Sequence, residues 1–320
     1  MDNLTHSLVG ALIGQTGLKK LSGLGMPTLI IAANIPDIDA ACTVYGIPSL
    51  AMRRGLTHGP IAMIVLPVLL TAIMVAFDRW QTRRGKRPAA RAPVRVSQLL
   101  LLALVGTLSH PAFDWLNSYG IRLLEPFSHQ WFYGDSIFII DLWMWALLIG
   151  GLIWSIRAAR RGGDWQRRGQ IVALALSAYV LGNGIATGVA ERRTAQWVRA
   201  TYGIEPDMVV ANPVPLAIWQ REMLWRGGGR YGGRDLNLAQ GVLPTLFASG
   251  VTEPTTIGMD DPHIGEATRN DANVKAFLFW ARMPIAQRQA NGDIVLRDQR
   301  FANPLMGDRF SVRIAPDTAQ

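Results

Sequence analysis

Four long apolar stretches limit most strongly what this chain can fold into. They contain a single charged residue, Asp141, and they cover about residues 60–77, 97–113, 137–156 and 171–190. A helix needs roughly 20 apolar residues to cross the hydrocarbon core of a membrane. Buried helices of a soluble protein are the alternative, but the Arg-rich clusters beside these stretches favour membrane spans. The sequence therefore predicts a mainly α-helical protein with a multi-pass transmembrane helical bundle.

The segments before and after these spans have a different character. Two weaker apolar helices are predicted at about 5–18 and 26–38, and the first is short for a full crossing. From residue 191 onward, 15 Lys and Arg residues balance 14 Asp and Glu residues. We therefore predict two domains, a helical bundle over 1–190 and a smaller α+β extramembrane domain over 191–320.

Two local signals refine this division. In the second domain, residues 275–282 and 293–301 are predicted as strands joined around Asn291 and Gly292, a strong hairpin-turn signal. In the last span, Gly184 and Gly188 form a small-xxx-small pair. This pair predicts either tight packing within the bundle or a contact between copies in a homo-oligomer.

The distribution of positive charge predicts the orientation in the membrane. Residues 1–190 contain 17 Lys and Arg against 9 Asp and Glu, and 12 of the positive charges lie in segments 78–95 and 157–170. Such runs can also bind nucleic acid, but both directly follow apolar spans, so no nucleic-acid partner is expected. The positive-inside rule places both segments in the cytoplasm. The second domain then lies on the non-cytoplasmic side. Two arginine pairs, Arg53-Arg54 and Arg192-Arg193, fall on the outer face and oppose this orientation.

Histidines and aspartates gather at that outer face. With only Cys42 in the chain, a metal site must use imidazoles and carboxylates. His110 and Asp114, four residues apart, share one helix face. Asp37 and Asp39 share a side only if the chain after Pro36 is extended. Ionisable groups at membrane depth are costly and usually mark function.

These residues predict a divalent-metal site. The predicted ligands are His6, Asp37, Asp39, His58, His110 and Asp114. The candidates for a general base are Asp37, Asp39 and Asp135, and the candidates for supporting positions around the ligands are His129 and Asp141. Zinc is the expected metal, with manganese and iron as alternatives, and no organic cofactor is expected. The structural alternative is a hydrogen-bond network that seals the bundle.

Several motifs of residues 1–190 resemble those of the YdjM-like bacterial inner-membrane proteins. They are Met1-Asp-Asn-Leu-Thr-His6-Ser, Asn34-Ile-Pro-Asp37-Ile-Asp39, Arg54-Gly-Leu-Thr-His58-Gly, Ser109-His110-Pro-Ala-Phe-Asp114 and Gly134-Asp135-Ser-Ile-Phe-Ile-Ile-Asp141. The resemblance implies a membrane-bound, metal-dependent hydrolase of the inner membrane. The metal motifs of this family are in turn similar to those of zinc-dependent phospholipase C and of all-helical zinc nucleases, which implies phosphoester chemistry.

Two functions are compatible with these residues. The first is hydrolysis of a phosphoester in a membrane lipid or lipid-linked substrate by a metal-activated water. The alternative is a non-catalytic metal-binding or envelope-stress membrane protein. A transporter would need polar groups along the spans, and the few present, such as Thr71 and Ser177, favour a site at one surface instead.

Overall fold

A computed structural model describes residues 1–302 and 309–315. It confirms a mainly helical chain followed by a region with two small antiparallel sheets. The chain forms two compact units, which are described separately below. The first contains Met1–Asp39 and Arg54–Gly184, and the second contains Ala40–Arg53 and Ile185–Gln320.

The four predicted spans are confirmed as four helices long and apolar enough to cross a membrane. They are α4 (Pro60–Arg83), α5 (Val96–Asp114), α6 (Leu142–Arg160) and α7 (Trp165–Tyr202). The third begins at Leu142 rather than at residue 137, because the Asp141 carboxylate caps it by accepting a hydrogen bond of 2.7 Å from the Met144 amide. Arg157 and Arg160 lie in its last turn, where their positive charges interact favourably with the negative end of the helix dipole.

Two short helices pack against α5 in the first unit. These are α1 (Asn3–Gln15) and α2 (Gly25–Ala32). Gly10 on α1 and Gly106 on α5 both face the backbone of Leu29, and a Cβ at either would lie within 3.0 Å of its carbonyl oxygen. The two glycines thus allow α2 to approach both neighbours closely, which brings the end of α2 next to the end of α5.

The chain after α2 is helical rather than extended. Helix α2 ends at Ala32, and a 3₁₀ helix covers Ile35–Tyr45. With about three residues per turn, side chains two residues apart point roughly 120° apart. Asp37 and Asp39 therefore do not share a side, and each has its own set of neighbours.

The second unit contains the end of the 3₁₀ helix, a short helix α3 (Ser49–Met52), two sheets and two further helices. The strands β1 (Met208–Pro213), β2 (Gln220–Gly227), β3 (Arg230–Asn237) and β4 (Thr252–Thr256) form one antiparallel sheet. The second antiparallel sheet contains β5 (Pro284–Arg288), β6 (Ile294–Asp298) and β7 (Ser311–Ile314). The helices are α8 (Pro262–Asn270) and α9 (Ala272–Trp280), and a 3₁₀ helix covers Gln299–Phe301.

The predicted hairpin around Asn291 and Gly292 is present between β5 and β6, but the predicted strand over 275–282 is wrong. Most of that segment is helix α9, whose first turn is capped by the Asp271 carboxylate. Val274, Phe277 and Trp280 recur every three residues on its buried face. This helical spacing outweighs the strand preference of the aromatic residues.

The glycine pair of the last span does not pack against another part of the chain that the structure describes. An added Cβ at Gly184 or at Gly188 would have no neighbouring atom within 4 Å. Tight packing within the chain is therefore absent at these two positions, and a contact between copies of the chain stays a prediction.

Candidate metal centre

Three elements bring four metal-ligating side chains together. His58 lies in the turn before α4, His110 and Asp114 occupy the last turn of α5, and Asp37 belongs to the 3₁₀ helix. One ligand atom from each lies within 4.8 Å of those of the other three. His58, His110 and Asp114 are buried, whereas Asp37 is half-buried. We call these four residues the metal cluster.

The geometry of the cluster matches the spacing of ligands around one ion. The two imidazole Nε2 atoms of His58 and His110 are 3.1 Å apart, and each lies 3.4 Å from Asp114 Oδ2. Ligands about 2.1 Å from a tetrahedral zinc ion are separated by about 3.4 Å. The fourth atom, Asp37 Oδ1, lies 3.7 Å from His110 Nε2.

The two oxygens of Asp114 have different surroundings. Oδ1 faces donors, because the Arg54 Nη2 atom lies 3.2 Å away and the amino group of Met1 contacts the same oxygen. Oδ2 is buried without a hydrogen-bond partner and faces the two Nε2 atoms. A buried carboxylate oxygen is costly unless it is paired or coordinates a metal.

The hydrogen-bond partner of His110 Nδ1 determines which ring nitrogen of His110 carries the proton. Its Nδ1 atom lies 2.7 Å from the carbonyl oxygen of Ala33, just beyond α2. A carbonyl only accepts, so Nδ1 donates and the neutral ring carries its lone pair on Nε2. That lone pair points at Asp114 Oδ2, which is itself an acceptor.

His6 is adjacent to the cluster but bonded differently. Its ring stacks on His110 with 3.8 Å between centroids, and its Nε2 lies 3.3 Å from Asp114 Oδ1. Burial lowers the pKa of His6 to about 3, so the ring is neutral near pH 7. In this arrangement His6 Nε2 contacts the carboxylate of Asp114. The assignment of His6 as a metal ligand stays a prediction.

Asp39 lies beside the cluster and not among its four members. Its Oδ2 atom accepts hydrogen bonds from the Arg54 backbone amide at 2.7 Å and from the Thr57 hydroxyl at 2.9 Å. The same oxygen is 3.5 Å from His58 Nδ1. Asp39 therefore contacts the far side of the His58 ring, opposite the nitrogen that faces the other ligands.

The remaining predicted residues also lie outside the group of four. Asp135 is buried with a positive φ of 46°. Asp141 caps α6 and accepts a hydrogen bond from the Tyr179 hydroxyl at 2.9 Å. The His129 side chain is 66% exposed, and its Nδ1 pairs with Glu125 Oε2 at 2.9 Å. The roles predicted for these three residues stay predictions.

Arg54 and Thr57 are functional candidates that the sequence did not single out. The pair Arg53 and Arg54 counted only as evidence against the predicted orientation. The structure buries Arg54 and pairs its guanidinium with Asp114, Asn117 and the Gly120 carbonyl. A paired, buried arginine has a local role, so it says little about orientation. In the sequence, Thr57 is one of four hydroxyl residues that directly precede a histidine; the others are Thr5, Ser109 and Ser128.

The residues present fit a divalent transition metal. Imidazole nitrogen and carboxylate oxygen are the ligand types that zinc, manganese and iron sites share. The buried Asp114 Oδ2 without a hydrogen bond, facing a lone pair of His110, is the observation that a hydrogen-bond network alone leaves unexplained.

One comparison with known proteins gave a match. The family model described as YdjM inner membrane protein matches residues 1–190. Comparisons with curated proteins and with solved structures gave no significant match. The matched region contains helices α1 to α6 and every residue of the metal cluster.

Proposed function

The chain belongs to the YdjM inner membrane protein family, and from that premise we propose that it is a membrane-embedded, metal-dependent hydrolase of a phosphoester in a lipid or lipid-linked substrate. The observation that carries the proposal is the triangle of His58 Nε2, His110 Nε2 and Asp114 Oδ2, with sides of 3.1, 3.4 and 3.4 Å. These residues, with Asp37, would hold the ion. A divalent ion bound there would lower the pKa of a bound water towards neutrality and polarise a phosphoryl oxygen.

The chain itself supplies the other groups that hydrolysis requires. Asp37, the half-buried member of the cluster, has one of two roles in this proposal. It is the fourth ligand, or, where the other three residues hold the ion, it accepts a proton from the attacking water. Asp39 is engaged by Thr57 and by the Arg54 amide, so it is less available for that role. The buried guanidinium of Arg54 pairs with Asp114 and so offsets part of the negative charge of the carboxylates in the cluster.

Two exposed apolar side chains support a substrate drawn from the membrane. The turn before α4 and the loop after α5 adjoin, since the Arg122 amide donates to the Arg54 carbonyl at 2.9 Å. Leu56 on the first is 64% exposed, and Phe127 on the second is 76% exposed. Large apolar side chains beside the ends of membrane spans favour contact with lipid over contact with water.

The same proposal includes a chain that crosses the membrane several times, with the cluster on the periplasmic side. The cluster joins the start of α4 to the end of α5, whereas the Arg-rich segments 78–95 and 157–170 lie at the opposite ends of the spans. Within the spans, the hydroxyls of Thr71 and Ser177 bond to carbonyls of their own helices, at Pro67 and Ala173. This favours a site at one surface over a path for an ion through the bundle.

The proposal is tested on the purified protein in detergent. Metal analysis should find a transition metal, and hydrolysis of a soluble phosphodiester or a phospholipid should stop with a chelator and return with zinc or manganese. Asp37→Ala and Asp114→Asn should remove the activity, and the exposed His263 offers His263→Ala as a control that keeps it. A metal-free wild type that hydrolyses neither substrate after addition of zinc or manganese would refute the enzyme. Metal binding without hydrolysis would instead favour the non-catalytic alternative.

A further inference from the structure

The Thr57 hydroxyl lies between a carboxylate and an imidazole. Its Oγ1 atom is 2.9 Å from Asp39 Oδ2 and 2.9 Å from His58 Nδ1. Three other hydroxyl residues precede a histidine in residues 1–190, and each bonds elsewhere. Ser128 accepts a hydrogen bond from the Gln130 amide. Thr5 donates to Asp2 Oδ2, and Ser109 donates to the carbonyl of Gly106.

The direction of these bonds follows from counting donors. A carboxylate accepts only, and Asp39 Oδ2 already accepts the Arg54 amide hydrogen at 2.7 Å. A hydroxyl has one hydrogen, and Thr57 donates it to Asp39. The Thr57 oxygen can then only accept from His58, so the proton of the neutral His58 ring must be on Nδ1.

The lone pair of His58 is thereby placed on Nε2, the atom that faces the cluster. His110 carries its lone pair on the same atom because its Nδ1 donates to Ala33. Two Nε2 lone pairs and Asp114 Oδ2 then face one another with no hydrogen between them, at 3.1 to 3.4 Å. Only a cation among them, a metal ion or an additional proton, makes that arrangement favourable.

We propose that Thr57 is a positioning residue whose hydroxyl bridges the Asp39 carboxylate and the His58 ring. This bridge, here called the relay, fixes the ring in the tautomer that binds metal. The inference rests on the proposed metal centre and adds a role for two residues. Asp39 acts through Thr57 rather than as a ligand, and Arg54 holds Asp39 through its backbone amide. Outer partners of this kind typically change metal affinity by about 10- to 100-fold when they are removed.

Zinc titration calorimetry on the metal-free, full-length protein in detergent tests the relay. Thr57→Val keeps the shape of the side chain but removes the hydroxyl, and should weaken zinc binding by about 10- to 100-fold. Thr57→Ser restores the hydroxyl and should restore the affinity. Thr71→Val is the matched control, because the Thr71 hydroxyl bonds only within its own helix at 2.7 Å from the Pro67 carbonyl oxygen.

A second readout separates the relay from general damage. Nitrogen chemical shifts of labelled histidine in the metal-free protein distinguish protonated from unprotonated ring nitrogens. His58 should be protonated on Nδ1 in wild type and Thr57→Ser, and should lose that preference in Thr57→Val. If Thr57→Val does not fold, Thr57→Ala is compared with Thr57→Ser in the same two measurements.

The outcomes distinguish the relay from the metal centre. If wild-type protein binds no zinc, the metal centre itself is wrong, and the relay with it. If wild type binds zinc and the hydroxyl-free variants bind it equally, with His58 still protonated on Nδ1, only the relay is wrong.

Discussion

Replacing His110 by alanine should remove most of the stabilisation that zinc gives the protein. His110 Nε2 lies 3.1 Å from His58 Nε2, 3.4 Å from Asp114 Oδ2 and 3.7 Å from Asp37 Oδ1, so every other ligand atom of the cluster surrounds it. Loss of an outer partner already costs about 10- to 100-fold in affinity. We therefore expect loss of His110 to cost at least about 100-fold.

That factor predicts a measurable difference in folding free energy. With free zinc at 100 times the dissociation constant of the wild type, binding stabilises the wild type by about 2.7 kcal/mol. For a variant that binds about 100-fold more weakly, the same zinc concentration contributes about 0.4 kcal/mol. The zinc-induced rise of the unfolding midpoint should therefore shrink to a small fraction of its wild-type value.

The assay is thermal unfolding of each protein in detergent with and without zinc. His110→Ala also lowers the stability of the metal-free protein, because it removes the stacking on His6 and the hydrogen bond to Ala33. Comparing the unfolding midpoint of each variant with and without zinc removes that effect. His263→Ala, at an exposed position outside the cluster, should keep the full zinc response. A His110→Ala protein that keeps the full response would refute the assignment of the cluster.

Three further predictions concern orientation, packing and substrate access. A reporter active only outside the cytoplasm should work when fused after residue 200 and fail when fused near residue 88, and the reverse pattern would place the cluster on the cytoplasmic side. Gly59→Ala should impair folding and zinc binding, because a Cβ there would overlap a backbone carbonyl oxygen, whereas Gly150→Ala has open space and should leave the unfolding midpoint unchanged or higher. Phe127→Asp should slow hydrolysis of phospholipid in vesicles but not of a soluble phosphodiester, and equal slowing of both would contradict the role of this exposed side chain in reaching lipid.

The sequence alone determined the architecture of the membrane part. Length and hydrophobicity decide whether a helix can cross a bilayer, and both are local properties of the chain. The four spans could therefore be predicted, although the third begins later in the chain than predicted because Asp141 caps it. The turn at Asn291 and Gly292 was also predictable, because the backbone preferences of those two residues act locally. The segment 275–282 was not, since its apolar residues suit a strand as well as a helix.

The sequence also supplied the candidate ligands, but only the tertiary structure decided how they are arranged. Helix polarity put His58 at the start of α4 and His110 at the end of α5, so their meeting at one face followed from the order of the spans. The 3₁₀ helix then separated Asp37 from Asp39, a difference of backbone geometry that residue spacing does not encode. The hydrogen bonds of Thr57 and of the Ala33 carbonyl depend on residues distant in sequence, Asp39 and His110. Which ring nitrogen carries the lone pair is therefore a property of the folded protein, because contacts that close such long loops form only when the helices pack.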